Sequence, residues 1–109
     1  AGDWIEALPI PGTLVINIGD MMMRWTNGEF ASTPHRVVNT TGAARYSFPL
    51  FFGANYNTIV RPLPKFCSPA NPPRFPPTKA GPWTVMNITK VYTYRLAYRD
   101  KIENPELPA

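Results

Sequence analysis

Eight prolines fall between positions 62 and 82, and they limit this chain more than any other feature does. Each proline fixes φ and removes a backbone N–H, so the segment cannot be the interior of an α-helix or a central strand. It reads as a stiff, non-helical connection over residues 62–82. Two parts of different texture lie on either side. Residues 1–61 hold short β-branched runs broken by turn residues, and residues 83–109 carry apolar groups near helical spacing. In that last part Ile88, Val91 or Tyr92, Tyr94 or Arg95, and Tyr98 recur about every turn, with Pro82 suited to a first turn. A helix packed on the outside is expected there, followed by a polar, loose tail.

Within the first part, Pro9, Pro11 and Gly12 punctuate the approach to TLVINI, a strand candidate at residues 13–18. Alternation sends Leu14, Ile16 and Ile18 to one face and leaves Asn17 as a polar group on the other. Asp20 is the expected N-cap of one helical turn over residues 21–25. Met21, Met22 and Met23 surround that turn and suit an irregular apolar surface. Asn27-Gly28 predicts a tight turn of the hairpin type. HRVVN and RYSFPLFF read as strands joined by a turn around Gly42, with Pro49 marking a bulge or an unpaired edge. NTIV adds one more short strand. Strands with turn signals about every 8–12 residues argue a barrel or sandwich, a mainly β architecture.

At 109 residues the chain is long enough for one small domain. Apolar residues make up 44% and charged residues 17%, as in packed globular proteins. The net charge is +4, and from position 61 onward eight Lys/Arg stand against three acids. They are scattered singly, without the stripe that follows a phosphate backbone, so nucleic acid is not an expected partner. No apolar run reaches the roughly 20 residues that cross a bilayer. The opening AGDWIEALPIPG has no basic and apolar regions of a secretory leader, and it reads as mid-domain sequence. Cys67 is the one cysteine, which points to a reducing, cytoplasmic setting.

The candidate chemistry lies in STPHRVVNTTGAARYS, residues 32–47. Arg45 and Ser47 stand two apart on a strand, so both side chains leave one face. A planar guanidinium with a neighbouring hydroxyl suits a carboxylate. His35, the only histidine, lies across the turn, so the two strands would neighbour one another and reach one cavity. A metal-bound imidazole beside such a clamp would hold an anionic, chelating cosubstrate. Spacing alone leaves open a structural histidine and a chance Arg-x-Ser.

The run PGTLVINIGDMMMRWTNGEFASTPHRVVNTTGAARYSFPLFFGANYNTIVRPLP resembles the C-terminal half of the core domain in Fe(II)/2-oxoglutarate-dependent dioxygenases, in the isopenicillin N synthase-like branch. The matching features are NIGD after a strand, the WTNG turn, STPHRV, and RYS at the family's separation. NPPRFPP and the segment with YTYR resemble that branch's C-terminal extension. The resemblance implies the C-terminal part of a double-stranded β-helix (jelly roll) with a C-terminal helix. His35 would be the distal histidine of the 2-His-1-carboxylate iron site. Arg45 and Ser47 would bind the distal carboxylate of 2-oxoglutarate. It also implies Fe(II), 2-oxoglutarate and O2, and admits ascorbate; 2-oxoglutarate decarboxylation would drive hydroxylation, desaturation or ring closure of a small molecule. Phe52, Asn55 and Tyr56 are candidates to contact that substrate.

The family's first histidine and acid, His-x-Asp, are not in this sequence. The chain is therefore expected to be a C-terminal portion, inactive alone, whose partner is the N-terminal part of the same domain. Two further readings stand beside this one. One is an oxidase of the isopenicillin N synthase type that uses no 2-oxoglutarate, and the other is a non-catalytic jelly-roll binding module.

Overall fold

A computed structural model describes residues 3–92. Along the chain come helix α1 (Asp20–Trp25), strand β1 (Ile59–Val60), a 3-10 turn (Pro64–Phe66), strand β2 (Thr78–Lys79) and helix α2 (Ala80–Val91). β1 and β2 pair antiparallel, with Ile59 opposite Lys79 and Val60 opposite Thr78. β2 lies inside the proline-rich segment, where two non-proline residues in a row, Thr78 and Lys79, leave N–H groups free for pairing.

α1 begins one residue earlier than expected. Gly19 is its N-cap and Asp20 its first residue, with no side-chain capping bond; the carboxylate still lies at the positive end of the helix dipole. Asn27-Gly28 is not a hairpin turn. It ends α1, with Asn27 at φ 53° and Gly28 at φ 90°, and the Gly28 N–H donates to the Met23 carbonyl at 2.8 Å. Positive φ is what a helix C-terminus asks for, and Asn and Gly tolerate it best.

This helix end receives the proline-rich segment. Asn27 Nδ2 donates to the Pro72 carbonyl at 3.0 Å and to the Phe66 carbonyl at 3.4 Å, and its Oδ1 accepts the Arg74 N–H at 2.8 Å. The Leu63 N–H donates to the Trp25 carbonyl at 2.9 Å. Arg24, 5% exposed, donates from Nη2 to the Pro76 carbonyl at 3.0 Å. Its guanidinium lies 4.1 Å from the Trp83 ring centroid and 5.4 Å from that of Phe75. A desolvated cation–π contact of this kind contributes about 2 kcal/mol. Arg24 thus joins α1, the proline-rich segment and α2.

α2 starts at Ala80, three residues before the expected position, because its first donors find partners at once. Ala80 N–H donates to the Thr58 carbonyl at 2.9 Å and Gly81 N–H to the Tyr56 carbonyl at 2.8 Å. Pro82 costs nothing in that first turn, where no intrahelical acceptor exists. Tyr94, Arg95 and Tyr98 of the expected helical spacing, with the tail, lie outside the described residues. Val60, Thr78, Ala80, Pro82 and Thr89 are buried, so the core lies where the β1–β2 pair meets the helices.

The strands expected at residues 13–18, 35–39 and 45–52 form no ladder among the described residues. Their composition suits strands, but a ladder needs a second segment in register. Leu14, Ile16, Phe48, Leu50 and Phe52 are 83–98% exposed, far above what isolated surface apolar residues require. Among the described residues no helix is long and apolar enough to cross a membrane.

Asn27→Ala should lower the unfolding free energy by about 2–4 kcal/mol, through lost hydrogen bonds and the cost of positive φ. Asn27→Gly keeps the dihedral and should lose less. Urea unfolding of the two variants separates the contributions, and equal losses would show that the dihedral contributes nothing.

Candidate functional site

His35 follows Pro34, and its side chain is exposed. Its Nδ1 lies 3.0 Å from the Thr33 carbonyl. A carbonyl only accepts, so Nδ1 carries the proton in that bond. In the neutral ring the lone pair is then on Nε2, the arrangement of a histidine ready to ligate a metal. The local sequence arranges this without help from elsewhere, since donor and acceptor are two residues apart. His35 therefore fits a metal as one ligand. Among the described residues no group of three His, Cys, Asp or Glu side chains could hold one.

Arg36 is turned to another task. Its guanidinium lies 4.3 Å from the centroid of the Trp4 ring, which ties the start of the chain to the histidine segment.

The turn expected around Gly42 is present, with Gly42 at φ 69°. Asn39 Nδ2 donates to the Ala43 carbonyl at 2.8 Å, and Asn39 Oδ1 accepts from the Thr41 N–H at 3.2 Å. Beyond it, the limbs carrying His35 and Arg45 share no ladder among the described residues. The two limbs are therefore joined by a reversal but not paired as a hairpin. Arg45 and Ser47 are both exposed.

The three substrate candidates separate. Tyr56 lines an open apolar depression of about 300 Å³ together with Met21, Phe51, Gly81, Thr84 and Val85. Phe52 is almost wholly exposed and outside that lining, and the Asn55 carbonyl accepts the Thr58 N–H at 2.9 Å in a turn. Phe51, the neighbour sharing the parity of Arg45 and Ser47, is the aromatic that reaches the depression. Sequence reading missed it because parity cannot be assigned to a strand whose partner is unknown. Met21 fits the adaptable apolar role expected of the methionine turn.

The 2OG-Fe(II) oxygenase superfamily model matches residues 1–54, a span that contains His35, Arg45 and Ser47. The chain belongs to this superfamily. Among curated relatives, it is 40% identical over 77 residues to a 2-oxoglutarate-Fe(II) type oxidoreductase of Emericella nidulans, covering 71% of this chain and 22% of that protein. A homoarginine-6-hydroxylase of Oryza sativa subsp. japonica is 48% identical over 67 residues, 62% of this chain and 20% of that protein. A 2-oxoglutarate-Fe(II) type oxidoreductase of Metarhizium rileyi is 33% identical over 91 residues, 84% of this chain and 24% of that protein. The chain spans about a fifth to a quarter of the length of these relatives. No solved structure matches it significantly. Membership in the 2OG-Fe(II) oxygenase superfamily implies a jelly-roll fold.

Gly81 allows the Tyr56 ring to lie against the start of α2, since a Cβ there would sit inside the ring. Gly81→Ala should push Tyr56 out of the depression and destabilise the fold by about 1–3 kcal/mol, as overpacking does. Ring-proton NMR shifts of Tyr56 and a thermal unfolding curve would check both effects. Unchanged shifts would mean that the ring does not rest there.

Proposed function

We propose that this chain contributes the distal iron-binding histidine and the cosubstrate clamp of a non-haem Fe(II)- and 2-oxoglutarate-dependent oxygenase acting on a small molecule. The observation that carries the reading is the superfamily match over residues 1–54, supported by the Nδ1-bonded state of His35. His35 would hold the iron through Nε2. Arg45 would meet the distal carboxylate of 2-oxoglutarate with two parallel N–H donors, and Ser47 would add an O–H. Bound iron, with 2-oxoglutarate and O2, supplies the oxidising power, and ascorbate would serve only as an accessory reductant. Tyr56 is the substrate contact that the geometry favours; Phe52 and Asn55 flank it. The single Cys67 suits a reducing, cytoplasmic compartment.

In this reading, residues 13–18 and 45–52 are strands of the C-terminal part of a jelly roll, and α2 is the C-terminal helix outside it. Their partner is the N-terminal part of the same domain, which would also bring the His-x-Asp ligands. The exposed apolar residues of those segments support this, since burying five such side chains at about 1.5–3 kcal/mol each outweighs most single losses.

In the whole protein, His35→Ala should abolish Fe(II)-dependent release of succinate. Arg45→Ala should raise the KM for 2-oxoglutarate by about 10–100-fold, the cost of a charge-assisted pair, with a smaller effect on kcat. Steady-state turnover against 2-oxoglutarate concentration reads both. Normal turnover by His35→Ala would refute the ligand assignment.

A further inference from the structure

Side chains, not a strand ladder, hold the reversal between the His35 limb and the Arg45 limb. Asn39 Nδ2 donates to the Ala43 carbonyl at 2.8 Å. Asn39 Oδ1 accepts from both the N–H and the hydroxyl of Thr41, at 3.2 and 2.9 Å. The Thr41 Oγ1 in turn accepts the Ala43 N–H at 3.3 Å. Four bonds therefore run through two side chains, around a glycine at φ 69°.

The surroundings make this turn matter. Upstream, the chain is tied where Phe30 N–H donates to Thr26 Oγ1 at 3.1 Å. Downstream, it is tied again where Thr58 N–H donates to the Asn55 carbonyl at 2.9 Å. Between residues 31 and 54 the described hydrogen bonds are those of the turn and the His35–Thr33 contact. In a paired hairpin the ladder would fix the register of the two limbs. Here the two limbs share no ladder among the described residues, and a slip of one residue would carry Arg45 and Ser47 together to the opposite face.

We propose that Asn39, acting with Thr41, is a positioning residue that sets the facing of the Arg45–Ser47 pair relative to His35. The inference rests on the function proposed above. His35 is four residues before Asn39, and Arg45 is two after Ala43, so one dicarboxylate spans both limbs only while the turn keeps its spacing. The His35 limb is anchored upstream at Thr26. His35 stands five residues from the tied Phe30 and Arg45 ten from the tied Asn55, so loosening the turn disturbs the clamp more than the ligand.

The test uses the whole protein loaded with redox-inert Mn(II), with 2-oxoglutarate and metal affinities measured by calorimetry. Asn39→Ala and Thr41→Val should each weaken 2-oxoglutarate binding about tenfold, with Mn(II) affinity held within about twofold. Asn39→Asp keeps the acceptor for Thr41 and loses the donor to Ala43, so its loss should be smaller. In turnover, KM for 2-oxoglutarate should rise while kcat stays near wild type. If Asn39→Ala does not fold, Thr41→Val, which exchanges one hydroxyl for a methyl, carries the test. A lower melting temperature with unchanged 2-oxoglutarate affinity would overturn the positioning role. Arg45→Ala separates the two levels: if it too binds 2-oxoglutarate normally, the clamp reading fails and this inference with it. If Arg45→Ala is weak and both turn variants are normal, this inference alone fails.

Discussion

Asn27 is where the two ordered regions of this chain meet, and the reason lies in the prolines. A proline contributes a carbonyl and no N–H, so a proline-rich segment has more acceptors than donors. Carbonyls such as those of Phe66, Pro72 and Pro76 must then be served from outside the backbone of their own segment. Asn27 Nδ2 serves Phe66 and Pro72, Arg24 Nη2 serves Pro76, and Asn71 Nδ2 shares Phe66. Two of these donors sit in the last turn of α1 or just beyond it, so the helix is a supply of donors as much as a packing element. The positive φ of Asn27 ends the helix and, in doing so, leaves its amide among the prolines. Buried at 2% exposure, that amide has both its acceptor and its donor engaged, which is the condition for burying a polar group at all.

From that junction the limb carrying His35 takes its anchor. Thr26, next to Asn27, is buried and accepts the Phe30 N–H on Oγ1. Five residues later comes His35. The ordered part of the chain thus fixes where the histidine limb begins, and the proline-rich segment is part of that support, beyond being a connection. At the far side, the Tyr56 and Thr58 carbonyls receive the first donors of α2, which fixes where the Arg45 limb ends. His35, Arg45 and Ser47 lie between these two tied points.

What could be read from the chain follows the range of the interaction involved. Local chemistry was legible: the helical turn of α1, turns at Asn27-Gly28 and around Gly42, and Pro82 in a first turn all reflect dihedral preferences of a few residues. The use made of those dihedrals was not. Asn-Gly serves a helix end as well as it serves a hairpin, and only the partner segment decides between them. Strand composition at residues 13–18 and 45–52 was equally plain, whereas pairing belongs to two segments and cannot be seen in one. The same limit explains Phe52 against Phe51, since choosing between neighbours requires knowing which face is covered. His35, Arg45 and Ser47 emerged from the family pattern around them, because a lone histidine and an Arg-x-Ser carry too little chemistry to identify themselves.

The two requirements on this site are met at different ranges. Readiness of His35 as a donor is a local matter, settled by a bond to a carbonyl two residues away that forms wherever residues 33–35 keep their conformation. Facing is not local: on the proposed reading Arg45 and Ser47 would have to look toward the same space as His35, across a reversal that no ladder supports among the described residues. Sheet partners usually settle such facing in strand-built sites. Placing it in Asn39 and Thr41 lets the limbs keep their relative register before any further strand covers them. On the proposed reading, a clamp and a ligand organised in this way would already be in step when the rest of the domain covers them, so that step would bury the apolar faces without having to choose the register.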